Sequence, residues 1–246
     1  MTKQLIVRGA PQEYELKENA WDSLESHLNR RNIENVLILH GKVSWQAVKD
    51  YFPDLSITKT FQYYGGQCTD SAAEDFASLC KKEQFDGIIA VGGGKVADLG
   101  KFVAYKVNLP IIILPTLAAT CAAYTPLSVV YNEEGVMLRY DIFPKASDLV
   151  LIDPEIILLS PRELMIAGIG DTLAKWYESH AIISQLTIKP VEVQVAEFAA
   201  QKCREILLTK SMEALAAMDQ KRLNQAFVDV VEANILLAGM VGGFGD

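Results

Sequence analysis

Residues 85–101 read FDGIIAVGGGKVADLGK, and this stretch decides the fold. Its first part, 87–91, is a short apolar run without polar alternation, typical of a parallel strand covered on both faces. Three glycines follow at 92–94, and a helix is expected to begin near Lys95. Glycines let backbone N–H groups approach a ligand, and a helix N-terminus adds free donors and the positive end of its dipole. The stretch predicts an anion-binding turn suited to a pyrophosphate, although a glycine turn that binds nothing fits the same letters.

The flanking sequence alternates between strand-like and helix-like patterns. The segments that read as further strands are Gln4–Arg8, Val36–Leu39, Thr58–Tyr63, Pro110–Leu114 and Leu149–Ile152. The segments that read as helices are Ala20–Arg31, a short helix capped by Ser44, and a helix opened by a capping box at Ser71–Glu74. A hairpin is predicted between Leu127–Tyr131 and Val136–Tyr140, with Gly135 in its loop. This order predicts a doubly wound parallel sheet that binds ligands beyond the carboxyl ends of its strands.

The pattern becomes wholly helical after Asp153. Ser160-Pro161-Arg162-Glu163 has the residues of a helix start, with Ser160 as N-cap. Gly168-Ile169-Gly170 is expected to interrupt that helix, so that another begins near Asp171. The later helices are expected at 191–208, 211–218 and 221–240. The sequence therefore predicts an α/β domain at 1–156, followed by an all-α domain at 157–246.

Composition excludes several classes of partner. The 246 residues include 31 acidic and 23 basic side chains, for a net charge of −8, and no basic cluster suits nucleic acid or an acidic membrane surface. The four cysteines form no C-x-x-C pair, and the N-terminus does not resemble a signal peptide. The region 109–123, read as the most apolar, is broken by Pro110 and Pro115 and is too short to span a membrane. We therefore expect a reduced, cytoplasmic protein without a membrane helix.

Four segments carry a family resemblance: GGGKVAD at 92–98, PTLAATCAAYTPLSVVY at 115–131, RYDIFPKASDLVLID at 139–153 and AGIGDTLAKWYE at 167–178. Together they resemble the glycerol dehydrogenase group of the iron-containing alcohol dehydrogenase family, whose fold is dehydroquinate synthase-like. The wording of 119–128 and 167–178 is most similar to the hydroxycarboxylate dehydrogenase branch. That resemblance implies reduction of a 2-oxo acid, such as 2-oxobutanoate or 2-oxoglutarate, with NADP or NAD. It also implies a divalent metal, zinc or iron, in the cleft between the two domains.

The resemblance also assigns site residues. The residues assigned to the cofactor are Gly92, Gly93, Gly94 and Lys95 at the pyrophosphate, Asp98 at the nicotinamide end, and Thr116, Thr125, Leu127 and Tyr131 along the cleft. Cys121 is assigned to the substrate pocket and Asp171 to the metal, and no catalytic residue is assigned. Lys175 and Glu178 share the helix face of Asp171, whereas His180 points away and is not expected to be a ligand.

Several of these residues have structural alternatives. Asp98 could pair with Lys101 on an exposed helix face, where the pair would contribute only a few tenths of a kcal/mol. Thr116 could be a turn residue, and Leu127 and Tyr131 could be ordinary strand core. Asp171 could be a helix N-cap.

Two departures from the family bear on specificity. Cys121 stands where glycerol dehydrogenases carry an aspartate. This replacement removes a hydrogen-bond acceptor for a polyol hydroxyl, and it removes a negative charge that would repel a substrate carboxylate. This favours an oxo acid over glycerol, and a packing role for the thiol over a catalytic thiolate. His40-Gly41-Lys42 stands where NAD-preferring relatives carry an acid that binds the adenosine ribose. Without that acid the 2′-phosphate of NADP is not repelled and Lys42 could meet it, which favours NADP over NAD; the alternative is that Lys42 only faces solvent.

A third departure concerns the metal. The family's remaining ligands are two histidines downstream of the segment that here reads AGMVGGFGD at 238–246. One carboxylate does not hold a catalytic metal, which normally has three protein ligands. We therefore expect an N-terminal portion of a longer enzyme, with a non-catalytic dinucleotide-binding remnant as the alternative. Unpartnered helices at 191–240 would favour self-association, and we expect a homo-oligomer.

Overall fold

The computed structural model describes residues 6–245 and is centred on a six-stranded parallel sheet. The strands of this sheet are β1 (Tyr14–Leu16), β2 (Asn35–His40), β3 (Thr58–Tyr63), β4 (Gly87–Gly92), β5 (Ile111–Pro115) and β8 (Leu149–Ile152). Their order is β1-β8-β5-β4-β2-β3, and every neighbouring pair is parallel. An antiparallel hairpin pairs β6 (Leu127–Tyr131) with β7 (Met137–Ile142). The predicted doubly wound sheet and hairpin are confirmed.

Helices cover the sheet and then form the rest of the chain. The helices are α1 (Leu24–Arg30), α2 (Lys42–Val48), α3 (Asp70–Glu83), α4 (Gly94–Val107), α5 (Pro154–Leu158), α6 (Arg162–Ile183), α7 (Val191–Gln220), α8 (Gln225–Glu232) and α9 (Ala238–Gly245). Short 3₁₀ turns lie at Ala20–Ser23 and Lys49–Tyr51, and a π-helical segment, Ala233–Leu237, joins α8 to α9. Every residue of β4 is buried, as its unbroken apolar run predicts. The division into domains at 156/157 stays a prediction.

The first strand lies later than predicted. Gln4–Arg8 falls partly outside the described residues, and Ile6–Arg8 belongs to no strand. Instead Arg8 N donates to Gly243 O at 3.0 Å, which ties this segment to α9. The edge strand Tyr14–Leu16 pairs with β8 in its place.

Two predicted helix caps are wrong. α2 begins at Lys42, so Ser44 lies inside it and Gly41 is the N-cap. α3 begins at Asp70, and Thr69 rather than Ser71 is its N-cap, because the Thr69 hydroxyl accepts from Ala72 N at 3.1 Å. Both helices begin before the predicted cap, within the range where local patterns are least informative.

The predicted break at Gly168–Gly170 is also wrong, because α6 runs unbroken from Arg162 to Ile183. Gly168 is buried, and a Cβ atom there would collide with the backbone of Ala118 and lie 2.8 Å from Ala119 Cα. The glycine therefore permits close packing and does not end the helix. The predicted cap is absent too, since α6 begins after Pro161 and Ser160 Oγ has no hydrogen-bond partner within residues 6–245.

The remaining helical boundaries differ for local reasons. α7 is one helix over the two predicted segments, and it ends where Lys221 adopts a left-handed φ of 50°. The last predicted helix begins at Gln225 instead of residue 221, because Asn224 caps it by accepting from Phe227 N at 2.8 Å.

One helical run was missed as a membrane candidate. Residues 225–244 form a run long and apolar enough to cross a membrane, although the sequence analysis took 109–123 as the most apolar region. Half of the apolar 18-residue window within this run is buried inside the described structure, and buried core helices share this length and composition. The run is weak evidence for a membrane span, and the predicted absence of a membrane helix remains a prediction.

Replacing Gly168 by alanine is expected to lower the free energy of unfolding by about 1–3 kcal/mol, because the new methyl group forces α6 away from the backbone at Ala118. Gly170→Ala is the matched control, since nothing lies within 4 Å of a Cβ atom there. That control is expected to stabilise the helix by up to about 1 kcal/mol. Chemical denaturation measures both, and equal effects of the two substitutions would refute this account of Gly168.

Candidate functional site

A cleft of about 550 Å³ lies beyond the carboxyl ends of β4 and β5. Gly93, Gly94 and Lys95 line it at the start of α4, and Thr116 lines it directly after β5. Lys42 at the start of α2 and Leu164 in α6 also line it. The structure thus brings together four of the residues that the sequence predicts for the cofactor.

The glycine turn leaves backbone donors free at the cleft. Gly93 is the N-cap of α4 and has no side chain to bond the first turn. The N–H groups of Gly93, Gly94 and Lys95 donate to no atom of the described chain. A Cβ atom would lie 3.1 Å from Leu117 Cδ2 at Gly93 and 3.0 Å from Thr120 Oγ1 at Gly94. This glycine-lined cradle is therefore shaped to receive an anion at the positive end of the helix.

Two residues beside the cradle have different environments. Thr116 is buried at the cleft, and its Oγ1 has no hydrogen-bond partner among residues 6–245. A buried hydroxyl of this kind normally has a partner, so it suits a ligand oxygen. Gly92 is buried behind the cleft, where a Cβ atom would lie 2.8 Å from Val96 Cγ2. Gly92 therefore serves close packing of the turn.

Lys95 joins the cradle to the hairpin. Its Nζ donates to Gln67 Oε1 at 2.6 Å and lies 4.7 Å from the centroid of the Tyr131 ring. This geometry is a cation–π contact, and it holds the ammonium at the edge of the cleft. Lys95 and Tyr131, which the resemblance assigns separately to the pyrophosphate and to the cleft, are thus in contact.

Asp98 lies beneath the cleft rather than in it. The alternative of an exposed pair with Lys101 is wrong: the pair forms at 3.0 Å, but each residue is only 4% exposed. Burial raises the pKa of the Asp98 carboxyl, and the Lys101 charge opposes that shift. Val129 N donates to Asp98 Oδ2 at 3.2 Å, and Ser128 Oγ donates to its carbonyl at 2.8 Å. Asp98 therefore anchors the hairpin, and its predicted contact with the nicotinamide end stays a prediction.

Lys101 is a residue whose importance the sequence analysis missed. Its Nζ donates to Ala122 O at 2.7 Å, to Thr125 O at 3.0 Å and to Leu127 O. These carbonyls belong to the chain that leads from the site loop into β6, so one buried ammonium fixes the loop. The Asp-x-x-Lys spacing was the signal, but sequence does not show on which side of α4 the pair is buried.

A second cavity of about 410 Å³ contains the predicted substrate residue. Cys121, Thr125 and Leu127 line one side of it, and Lys175 and Glu178 of α6 line the other. Burial raises the pKa of the Cys121 thiol, although the Lys175 charge opposes that shift. The thiol is neutral at physiological pH, which agrees with a packing role rather than a catalytic thiolate.

Asp171 lies within α6, so the alternative of an N-cap is wrong. Its side chain is 52% exposed, and its Oδ2 lies 3.6 Å from Lys175 Nζ. Within residues 6–245, no group of three histidine, cysteine or acidic side chains is placed to hold a metal ion. The described residues therefore do not fit a metal centre by themselves.

The π-helical segment places Asn234 against the site loop. Its Nδ2 donates to Ala118 O at 2.8 Å, and its buried Oδ1 has no partner in the described chain. This bond holds the loop that carries Thr116 and Cys121 against the helices. No sequence pattern predicts this contact, because a π segment leaves no local pattern of its own.

The fold and the site define a class of protein, a dinucleotide-binding α/β protein whose helices face the carboxyl edge of its sheet. A family model described as iron-containing alcohol dehydrogenase matches residues 11–154. The chain belongs to the iron-containing alcohol dehydrogenase family, which confirms the predicted resemblance.

Two curated relatives are similar along nearly the whole chain. Hydroxycarboxylate dehydrogenase A of Escherichia coli (strain K12) is 37% identical over 238 residues, which cover 96% of this chain and 66% of the relative. Glycerol dehydrogenase of Thermotoga maritima is 33% identical over 236 residues, which cover 94% of this chain and 64% of the relative. The chain thus spans slightly less than two thirds of the length of these relatives.

Two solved structures share the fold. A probable glycerol dehydrogenase from Sinorhizobium meliloti 1021 superposes with a TM-score of 0.85 at 28% sequence identity. The superposition covers 96% of this chain and 66% of the dehydrogenase chain. Glycerol dehydrogenase from Schizosaccharomyces pombe superposes with a TM-score of 0.85 at 27% sequence identity. That superposition covers 98% of this chain and 62% of the dehydrogenase chain. The predicted dehydroquinate synthase-like fold is confirmed.

Proposed function

We propose that this chain is the dinucleotide-binding part of an NAD(P)-dependent oxidoreductase that acts on a CH–OH group and reduces a small 2-oxo acid to its hydroxy acid. The observation that carries the proposal is the glycine cradle, where the N–H groups of Gly93, Gly94 and Lys95 face the cleft without a protein acceptor. The family name and the two curated relatives support the same class of reaction.

The chain's own residues would bind and orient the cofactor. The free N–H groups at the start of α4 would donate to the diphosphate, and the unpartnered Thr116 hydroxyl would bind an adjacent oxygen. Thr125 and Leu127 line the neighbouring cavity and so would border the reacting end. A bound nicotinamide supplies the hydride.

The substrate class rests on Cys121. Its neutral thiol provides neither the charged acceptor that would favour a polyol hydroxyl nor a charge that would repel a carboxylate. The hydroxycarboxylate relative supports a 2-oxo acid of the 2-oxobutanoate or 2-oxoglutarate type. A glycerol or polyol dehydrogenase is the second candidate, since the Thermotoga relative carries that name.

The family name also implies a divalent metal, zinc or iron, and Asp171 is the ligand that the resemblance assigns. The described residues do not complete such a centre, so we assign it no part in binding or in orientation. A non-catalytic dinucleotide-binding protein is the alternative that follows. The cytoplasmic location stays a prediction. The homo-oligomeric state also stays a prediction, and the exposed apolar side chains of Phe198 and Met212 on α7 support it.

Turnover and binding assays on the purified chain test the proposal together. NADPH oxidation is measured with 2-oxobutanoate and with 2-oxoglutarate, and glycerol oxidation is measured with NADP⁺ and NAD⁺, each with and without added Zn²⁺ or Fe²⁺. If the chain is active by itself, we expect turnover of the 2-oxo acids in preference to glycerol; as an N-terminal portion of a longer enzyme, it is expected to bind the cofactor without turnover. Cofactor binding without any turnover would favour the non-catalytic alternative, and no cofactor binding would refute the proposal.

Replacing Lys42 by glutamine is expected to weaken NADPH binding about tenfold and to leave NADH binding unchanged. Lys42 lines the cleft and forms no ion pair with the described residues, so its ammonium is free to meet a 2′-phosphate. A charge-assisted hydrogen bond contributes about 1.5–3 kcal/mol, enough for this change. Fluorescence titration measures both cofactors, and Lys49→Gln, exposed outside the cleft, is the control. An equal loss for the two cofactors would contradict the predicted preference for NADP.

A further inference from the structure

We propose that Lys175 binds the carboxylate of the substrate in the cavity beside Cys121 and so makes the site selective for oxo acids over neutral carbonyl compounds. This inference rests on the proposed function and deepens it, because it names the side chain that recognises the substrate class. The family resemblance assigns no role to Lys175, and the sequence places it only on the helix face of Asp171.

The position of Lys175 fits this role. It lies on α6 and faces the loop after β5 across the 410 Å³ cavity, where Cys121 and Thr125 form the opposite wall. Its side chain is 26% exposed, so it is reachable from the cavity but largely withdrawn from solvent. An ion pair that forms there is screened less than one on the open surface.

The ammonium of Lys175 also has unused hydrogen-bonding capacity. It carries three N–H donors, yet its nearest acidic oxygen is Asp171 Oδ2 at 3.6 Å, beyond hydrogen-bond distance. No side-chain hydrogen bond from Lys175 Nζ forms within residues 6–245. Lys101 shows the contrast, since its ammonium bonds three carbonyls and the Asp98 carboxylate. The Lys101 ammonium is therefore structural, whereas that of Lys175 is available to a ligand.

The other charged groups near the cavity do not neutralise the Lys175 ammonium. Glu178 lines the same cavity, but it is exposed and forms no ion pair within 4.0 Å of Lys175. Its charge is therefore screened by water. Asp171 is half exposed and does not line the cavity. Among the described lining residues, Lys175 is the one cation and the exposed Glu178 the one anion, while the Cys121 thiol on the facing loop is neutral, so a carboxylate bound between Lys175 and Cys121 pairs with the cation.

Steady-state kinetics of the whole chain test the proposal with a matched pair of substrates. The pair is 2-oxobutanoate and the neutral 1-hydroxybutan-2-one, which replaces the carboxylate by a hydroxymethyl group. Lys175→Met is expected to lower kcat/KM for 2-oxobutanoate about thirtyfold, mostly through KM, and to leave the neutral compound within about twofold, because one charge-assisted contact is lost. Lys175→Arg is expected to restore most of the preference for the acid.

The controls separate this inference from the proposed function. Lys202→Met removes a partly exposed cation of α7 that pairs with Glu205, and it is expected to leave kcat/KM unchanged for both substrates. If the unmodified chain turns over neither compound, the non-catalytic alternative to the proposed function is favoured, and calorimetric binding of 2-hydroxybutanoate in the presence of NADP⁺ decides the role of Lys175. Affinity at least tenfold weaker in Lys175→Met supports it. Equal affinity in the two proteins, no binding by the unmodified chain, or equal kinetic losses on the two substrates would overturn it.

Discussion

Replacing Lys101 by methionine is expected to lower the free energy of unfolding by about 3–5 kcal/mol. The substitution keeps an apolar chain of similar length but removes the cation that faces the buried Asp98 carboxylate at 3.0 Å. It also removes the donor for the carbonyls of Ala122, Thr125 and Leu127. An uncompensated buried charge and unbonded carbonyls then remain together beneath the hairpin.

Chemical denaturation followed by circular dichroism measures this loss. Lys106→Met is the matched control, because Lys106 pairs with Glu74 at the surface and such pairs contribute about 1 kcal/mol or less. The double variant Asp98→Leu with Lys101→Met is expected to recover part of the loss, since it removes the stranded carboxylate as well. A loss below about 1 kcal/mol in Lys101→Met would show that the pair does not hold the loop.

The parallel sheet was predictable from sequence because each central strand is a short, unbroken apolar run. Val36–Leu39, Pro110–Leu114 and Leu149–Ile152 all became strands at nearly the predicted bounds. Such runs satisfy one strong requirement, burial on both faces, that few other local structures meet. β1 escaped prediction because it has only three residues, too few to show a strand pattern of their own.

Helix boundaries were less predictable, because the residues that end a helix also serve packing. Gly168 and Gly170 read as a break, yet Gly168 is required for close approach to Ala118 and Gly170 faces open space. The two glycines are equivalent in the sequence and differ only in what lies across from them. Local patterns carry no information about that partner.

The candidate site also has one part that the sequence predicts and one part that it does not. The cradle at Gly93 and Gly94 was predictable, because its chemistry depends on consecutive residues between a strand and a helix. The cavity that joins Cys121 to Lys175 was not, because its two walls are 54 residues apart in the chain and meet only through tertiary packing.

Replacing Gly94 by valine is expected to weaken dinucleotide binding at least a hundredfold. A Cβ atom at this position already lies 3.0 Å from Thr120 Oγ1 and 3.5 Å from Ala122 Cβ, and valine adds two methyl groups. Those groups occupy the cradle and keep a phosphate from the N–H groups of Gly94 and Lys95. The loss of two charge-assisted hydrogen bonds, at about 1.5–3 kcal/mol each, accounts for the expected factor.

Titration calorimetry with NADPH and with NADH measures the change, and thermal unfolding checks that the variant is folded. Gly170→Val places the same side chain on another helix where nothing lies within 4 Å, so this control should bind both cofactors normally. If Gly94→Val were folded and bound NADPH within about threefold of the unmodified chain, the diphosphate would not lie at the start of α4. The assignment of the cleft to a dinucleotide would then fail, because the cradle is the feature that distinguishes it from an ordinary groove.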